Sequence, residues 1–197
     1  MTQDGVNQGR RRFLYIAAGA MGAAGAVGVA TPFVKSWYPS EKAKAVGAPV
    51  SVDIGKLEAG EMRIVEWRGK PIFVVRRTSV MIENLKKDAL TSRLTDPESQ
   101  VASQQPEYAQ NPLRSRSEDL LVLEGVCTHL GCSPQFRPEV EPQPFDENWM
   151  GGFFCPCHGS RFDLAGRVFR GVPAPSNLVV PPYYVEGTIL TVGEESA

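Results

Sequence analysis

All four cysteines and both histidines of this 197-residue chain lie between Cys127 and His158. They form two boxes, Cys127-Thr128-His129-Leu130-Gly131-Cys132 and Cys155-Pro156-Cys157-His158-Gly159-Ser160, each with two Cys and one His. Cysteines scattered through a core for packing would not gather in this way, so the clustering points to a metal site built from two loops. Two Cys with two His could hold a tetrahedral zinc ion. Cys127 and His129, separated by a single residue, are awkward on a single ion but natural on two neighbouring ions. A two-iron, two-sulfur cluster with mixed ligation meets that need, with two thiolates on one iron and two imidazoles on the other.

The second constraint is N-terminal. A polar segment, residues 1–12, ends in Arg10-Arg11-Arg12 and is followed by Phe13-Leu14. No charged residue then occurs from Phe13 to Phe33. As a helix this stretch would reach about 31 Å, close to the roughly 30 Å hydrocarbon core of a bilayer. Residues 13–34 are therefore expected to be a transmembrane helix, with a cleaved signal peptide as the alternative. Arginines ahead of the span place the C-terminal bulk on the far side by the positive-inside rule. Arg10 and Arg11, in the order R-R-x-F-L, resemble a twin-arginine export signal. Residues 35–49, with Trp37 and Tyr38 suited to the membrane interface and prolines at 39 and 49, read as a flexible tether.

Residues 50–197 are expected to form the head. Net charge is −1, which leaves no broad electrostatic footprint for nucleic acid. With 42% hydrophobic and 22% charged residues, the chain can build an ordinary core and is not disordered. Met62–Trp67 and Ile72–Val75 around Arg68-Gly69-Lys70 predict a hairpin. Thr78 or Ser79 could cap a helix running to about Leu90. Residues 91–119 are polar, contain three prolines and show no periodicity, so they are expected to be a surface insertion. Leu120–Leu123, Arg167–Phe169, Tyr183–Val185 and Thr188–Val192 read as strands, the last two joined at Glu186-Gly187. The fold class is therefore mainly β, an antiparallel head with one N-terminal transmembrane helix.

C-T-H-L-G-C and C-P-C-H-G-S resemble the paired cluster loops of the Rieske proteins of quinol–cytochrome c reductases. The family pattern is clear over residues 120–182, with the cluster-binding part at about 120–175. The resemblance implies one 2Fe-2S cluster, with Cys127 and Cys155 on one iron and His129 and His158 on the other. It also implies a disulfide between Cys132 and Cys157, which would require an oxidising compartment. Gly171-Val172-Pro173-Ala174-Pro175 is similar to the family's proline loop, with Gly171, Pro173 and Pro175 covering the third side of the cluster.

Function follows from the same resemblance. It implies an electron-transfer subunit of a bacterial cytochrome bc complex, not active alone, that oxidises ubiquinol at a cytochrome b site. The electron would pass to a c-type cytochrome, with proton release to the periplasm. The implied setting is the bacterial inner membrane, single-pass, with a periplasmic head in a dimeric complex. His158, His129 and Leu130 would meet the quinol. Two neutral imidazoles in place of two thiolates raise such centres to roughly −150 to +300 mV, against about −400 mV for all-cysteine clusters. The alternative is the small Rieske subunit of a periplasmic molybdenum oxidase such as arsenite oxidase. Dioxygenase ferredoxins lack the extra Cys pair. Two hydroxyls often tune quinol-oxidising members. Ser160 matches the first, but Phe162 stands where the second, a tyrosine, is expected, so a lower potential is anticipated.

Overall fold

A computed structural model describes residue 5 and residues 7–195, and the chain divides into two compact units, Met1–Ala45 and Val46–Ala197. The other residues of the polar leader, 1–4 and 6, lie outside the described part, as do 196 and 197.

In the first unit, helix α1 runs from Gln8 to Ser36. Asn7 caps it, its side chain accepting from the Arg10 N–H at 3.1 Å. The helix therefore begins within the polar leader, and Arg10, Arg11 and Arg12 belong to its first turns. Its 29 residues would extend about 43 Å, more than enough to cross a membrane. None of its residues is buried within the protein, and Phe13, Leu14, Tyr15 and Ile16 are all more than half exposed. That surface matches an apolar environment.

The segment expected to be a tether is partly helical. Lys35 and Ser36 complete α1, and a second helix, α2, spans Glu41–Gly47. Ser40 Oγ accepts from the Ala43 N–H at 3.2 Å, and Lys44 pairs with Glu41 at 2.7 Å. Five good helix formers or spacers, Glu41 to Ala45, outweigh the prolines that bound them.

Among its described residues, the head consists of three antiparallel sheets of three strands each. The first strand, β1 (Val50–Asp53), belongs with two from the C-terminus. The expected hairpin is present as β2 (Met62–Trp67) and β3 (Lys70–Arg76), with Arg68 and Gly69 at the turn, both with positive φ. β3 is central to its sheet and pairs next with β4 (Leu120–Glu124), Val74 opposite Val122. Ile72 to Val75 and Leu120 to Leu123 are all buried, which accounts for continuous apolar runs in place of alternation. The third sheet holds β5 (Gln135–Arg137), β6 (Gly152–Cys155) and β7 (Ser160–Asp163). β8 (Tyr183–Glu186) and β9 (Ile189–Val192) form the final hairpin, with β9 between β1 and β8. Phe73 stacks on Phe153 with ring centroids 5.7 Å apart, joining the β2-β3-β4 sheet to the sheet that carries the second box.

Three expectations need correction. The helix capped by Thr78 is two pieces, α3 (Ser79–Leu85) and α4 (Asp88–Thr91), with the break at Lys86 and Lys87. Thr78 Oγ1 does accept from the Met81 N–H at 3.3 Å. The break allows both Leu85 and Leu90 to be buried, while Ala89 faces out. Residues 167–169 are not a strand; Val168 and Phe169 make only isolated bridges, to Phe162 and Leu94. Residues 91–119 are no surface insertion. Leu94, Ser99, Gln105, Ala109, Leu113, Arg114 and Ser115 are buried, and the segment is tied to distant parts of the chain by Arg114, which donates to the Ala165 and Gly166 carbonyls, and by Arg77, which donates to the Leu113 carbonyl and Ser115 Oγ.

Candidate metal centre

The two boxes fold into matching turns. In the first, the Gly131 N–H donates to the Cys127 carbonyl at 3.0 Å; in the second, the Gly159 N–H donates to the Cys155 carbonyl at 3.0 Å. Both glycines are left-handed, φ +84° and +78°, which explains a glycine four residues after each cysteine. The first turn is closed further by the Cys127 N–H on the Cys132 carbonyl at 2.8 Å. β4 leads into the first turn; β6 and β7 hold the second between Cys155 and Ser160, which pair across the ladder.

A disulfide joins Cys132 to Cys157 and fastens the two turns together. Cys127 and Cys155 remain free thiols, each only 2% exposed. Burial is the main cause that pushes the Cys155 thiol up; the neighbouring Cys127 adds to it, and the Cys157 and His158 amides oppose it. Two thiols side by side in an apolar pocket suit a bound cation, which alone would make both thiolates comfortable. The sulfurs of Cys132, Cys155 and Cys157 also lie within 4.8 Å of one another. That trio is not a ligand set, since two of its members are bonded to each other.

On the same two turns, His129 and His158 bring their rings to 4.7 Å at right angles. His158 is exposed, His129 half-buried, and Leu130 is 72% exposed beside them. Two buried sulfur donors and two imidazoles at an accessible tip fit a two-iron, two-sulfur cluster with one thiolate-bound and one imidazole-bound iron.

A third loop meets the first two. The Thr128 hydroxyl donates to the Ser176 carbonyl at 2.7 Å, and the Ala174 N–H donates to Ser160 Oγ at 3.1 Å. Ser160 is fully buried, as is Phe162, which lies opposite Phe153 in the β6–β7 ladder. Gly171, Pro173 and Pro175 are exposed around the buried Ala174. The expected site residues of the head thus gather in one place. Arg10 and Arg11 lie in the other unit, where the Arg11 guanidinium rests 5.4 Å from the Tyr15 ring centroid. Sequence reasoning named the loop that holds Ala174 but not the contacts made by Thr128, Ala174 and Ser176, which rest on a hydroxyl and on backbone groups.

Comparison with known proteins places this geometry. Residues 50–183 match the family described as Rieske [2Fe-2S] domain, and residues 1–40 match the family described as Ubiquitinol-cytochrome C reductase Fe-S subunit TAT signal. The chain is 51% identical over 196 residues to the ubiquinol–cytochrome c reductase iron–sulfur subunit of Allochromatium vinosum, covering 99% of this chain and 93% of the relative. It is 40% identical over 193 residues to the subunit of the same description in Blastochloris viridis, covering 98% and 97%. Against the mitochondrial cytochrome b-c1 complex subunit Rieske of Schizosaccharomyces pombe it is 38% identical over 176 residues, covering 89% and 67%. With the paired turns, the bridging disulfide and the two free thiols, these likenesses show that the chain belongs to the Rieske iron–sulfur subunits of ubiquinol–cytochrome c reductases.

Proposed function

We propose that this chain takes one electron from ubiquinol at a cytochrome b site and passes it to a c-type cytochrome, with the proton released on the periplasmic side. Cys127 and Cys155 would hold one iron, and His129 and His158 the other. When bound, the 2Fe-2S cluster supplies a one-electron couple at a potential high enough to accept from a quinol. The observation that carries this reading is the pairing of a half-buried His129 with an exposed His158, on the same two turns as two buried thiols. An exposed imidazole nitrogen on His158 can take a hydrogen bond from a quinol hydroxyl, so that electron and proton leave the quinol together. Leu130, at the same tip, offers an apolar surface for docking. The Ser160 hydroxyl would donate a hydrogen bond to a sulfide of the cluster.

The remaining assignments follow from the same reading. α1 would anchor the chain in the cytoplasmic membrane, with Arg10 and Arg11 read by the twin-arginine export machinery. Residues 35–49 would tether the 50–197 head between two partner sites in a dimeric complex. Likeness to ubiquinol–cytochrome c reductase subunits over almost the full chain supports this over a molybdenum-oxidase subunit. The test is electron paramagnetic resonance of dithionite-reduced membranes with identification of co-purifying subunits. A Rieske signal with b- and c-type haems is expected. A molybdopterin subunit in their place, or no reducible signal, would overturn the proposal.

A further inference from the structure

A loop stays over a metal centre only if its ends are held, and residues 166–178 form a loop whose ends are tied twice. The Leu178 N–H donates to the Gly166 carbonyl at 2.8 Å, and the Val168 N–H donates to Asn177 Oδ1 at 2.8 Å. From this neck the loop reaches both boxes, through Ser176 to Thr128 and through Ala174 to Ser160.

The neck is gripped in turn by the segment 91–119. Arg114 is fully buried. Its Nη1 donates to the Ala165 and Gly166 carbonyls at 3.2 and 3.3 Å, and its Nη2 to the Gln104 carbonyl and Gln105 Oε1, both at 3.1 Å. Asn177 is 1% exposed, and its Nδ2 donates to the Asp96 carbonyl at 3.1 Å. The Val180 N–H donates to the Gln104 carbonyl at 2.8 Å. Gly166 has φ +74°, and a side chain there would come within 2.8 Å of Leu123 Cδ1 and 3.2 Å of Arg114 Nη1. Any side chain at this position would be strained by the backbone and would displace Leu123 or Arg114.

Arg114 meets four neutral acceptors and no carboxylate, so its charge gains little from an ion pair and loses its hydration. An apolar side chain could fill the space more cheaply. What an apolar residue lacks is the planar fork, whose paired donors span from 104–105 to 165–166 in one fixed geometry. Geometry is the property retained here.

We propose that Arg114 and Asn177 are positioning residues for the metal centre. By fixing the neck of the 166–178 loop, they hold the Ala174 N–H on Ser160 Oγ. With that oxygen already accepting from Ala174, the hydroxyl turns its proton away from the loop and toward the cluster. The segment 91–119 is then the buttress of the third loop. This inference rests on the reading of Ser160 as a donor to the cluster.

The test is a double-mutant cycle on the full-length, cluster-loaded protein, reading the midpoint potential by redox titration and thermal unfolding in parallel. Arg114→Lys keeps the charge and loses the fork; Asn177→Ala removes no charge. Each is expected to lower the midpoint toward that of Ser160→Ala, and to cause no additional shift in a Ser160→Ala background. An equal shift in both backgrounds would mean a direct effect on the cluster and would overturn the inference. So would a lower Tm with an unmoved midpoint, which marks a merely structural role. If Arg114→Lys does not accumulate, Asn177→Ala decides alone. A Ser160→Ala midpoint that does not move overturns the reading of Ser160 along with this inference. If that midpoint falls while Arg114→Lys and Asn177→Ala leave theirs in place, only the positioning role fails.

Discussion

Phe162 lies directly across from Phe153 in the β6–β7 ladder and shares a strand face with Ser160, both of them fully buried. Its ring therefore sits diagonally from Cys155, two residues along β6 from Phe153. A hydroxyl added to that ring would lie on the strand face that also carries Cys155, within the proposed site. A hydrogen bond to sulfur stabilises the more negative, reduced state. At about 1.5 kcal/mol to that state, the one-electron midpoint would rise by about 60 mV. Phe162→Tyr is thus expected to raise the midpoint by a few tens of millivolts, and Ser160→Ala to lower it by a similar amount. An unmoved midpoint in the tyrosine variant would show that the buried site aims the hydroxyl elsewhere.

The ligand and disulfide assignments make separate predictions. Cys155→Ser or His158→Cys should abolish the Rieske signal in reduced membranes. Cys132→Ser should leave a cluster that forms but is lost at lower temperature. Removing a bridge that closes a loop of 25 residues costs about 3.5 kcal/mol in the chain-entropy model. Thermal melts followed at the cluster absorption distinguish the two classes, and equal stability in the Cys132 variant would count against this role for the bridge.

Export is expected to depend on the arginines in the first turns of α1. Replacing Arg10, Arg11 and Arg12 together by Lys preserves charge while removing the guanidinium groups a receptor can read. Folded, cluster-containing protein should then accumulate in the cytoplasm. Fractionation that finds normal amounts in the membrane would contradict the assignment.

Residues 35–49 contain a seven-residue helix, so the linkers left to bend are those on either side of α2. Helices this short are marginal in isolation. Replacing residues 42–45 with prolines should destroy α2 and stiffen the segment toward extended polyproline geometry. Electron delivery to the c-type haem should slow, with spectrum and midpoint unchanged. Unaltered turnover in stopped-flow measurements would make the segment a plain spacer.

The two boxes were legible because Cys and His are rare residue types gathered in compact motifs, and the outer hairpins because strands and turns are local. β2 with β3 and β8 with β9 are each joined by a short turn that names itself through glycine. The segment 91–119 was opaque for a physical reason. Its burial rests on polar side chains matched to carbonyls far along the chain, Arg114 to Gly166 and Asn177 to Asp96, and such matching has no period. β6 was missed likewise, being four residues long and opening on a glycine. The part of Ser160 could be anticipated as a hydroxyl. Its partner could not, since an amide on Ala174 looks like every other amide until the loops are folded together.

The twin turns of the two boxes bear on how fast charge can pass. Each is closed on its own cysteine carbonyl by a glycine amide, and the pair is fastened by a covalent bridge. Walls held this way have little freedom to shift when the charge between them changes by one. In such a preorganised pocket the reorganisation energy of the proposed electron transfer is expected to be small. On that expectation, the step left to set the tempo of the proposed reaction is the approach of the head to its partners.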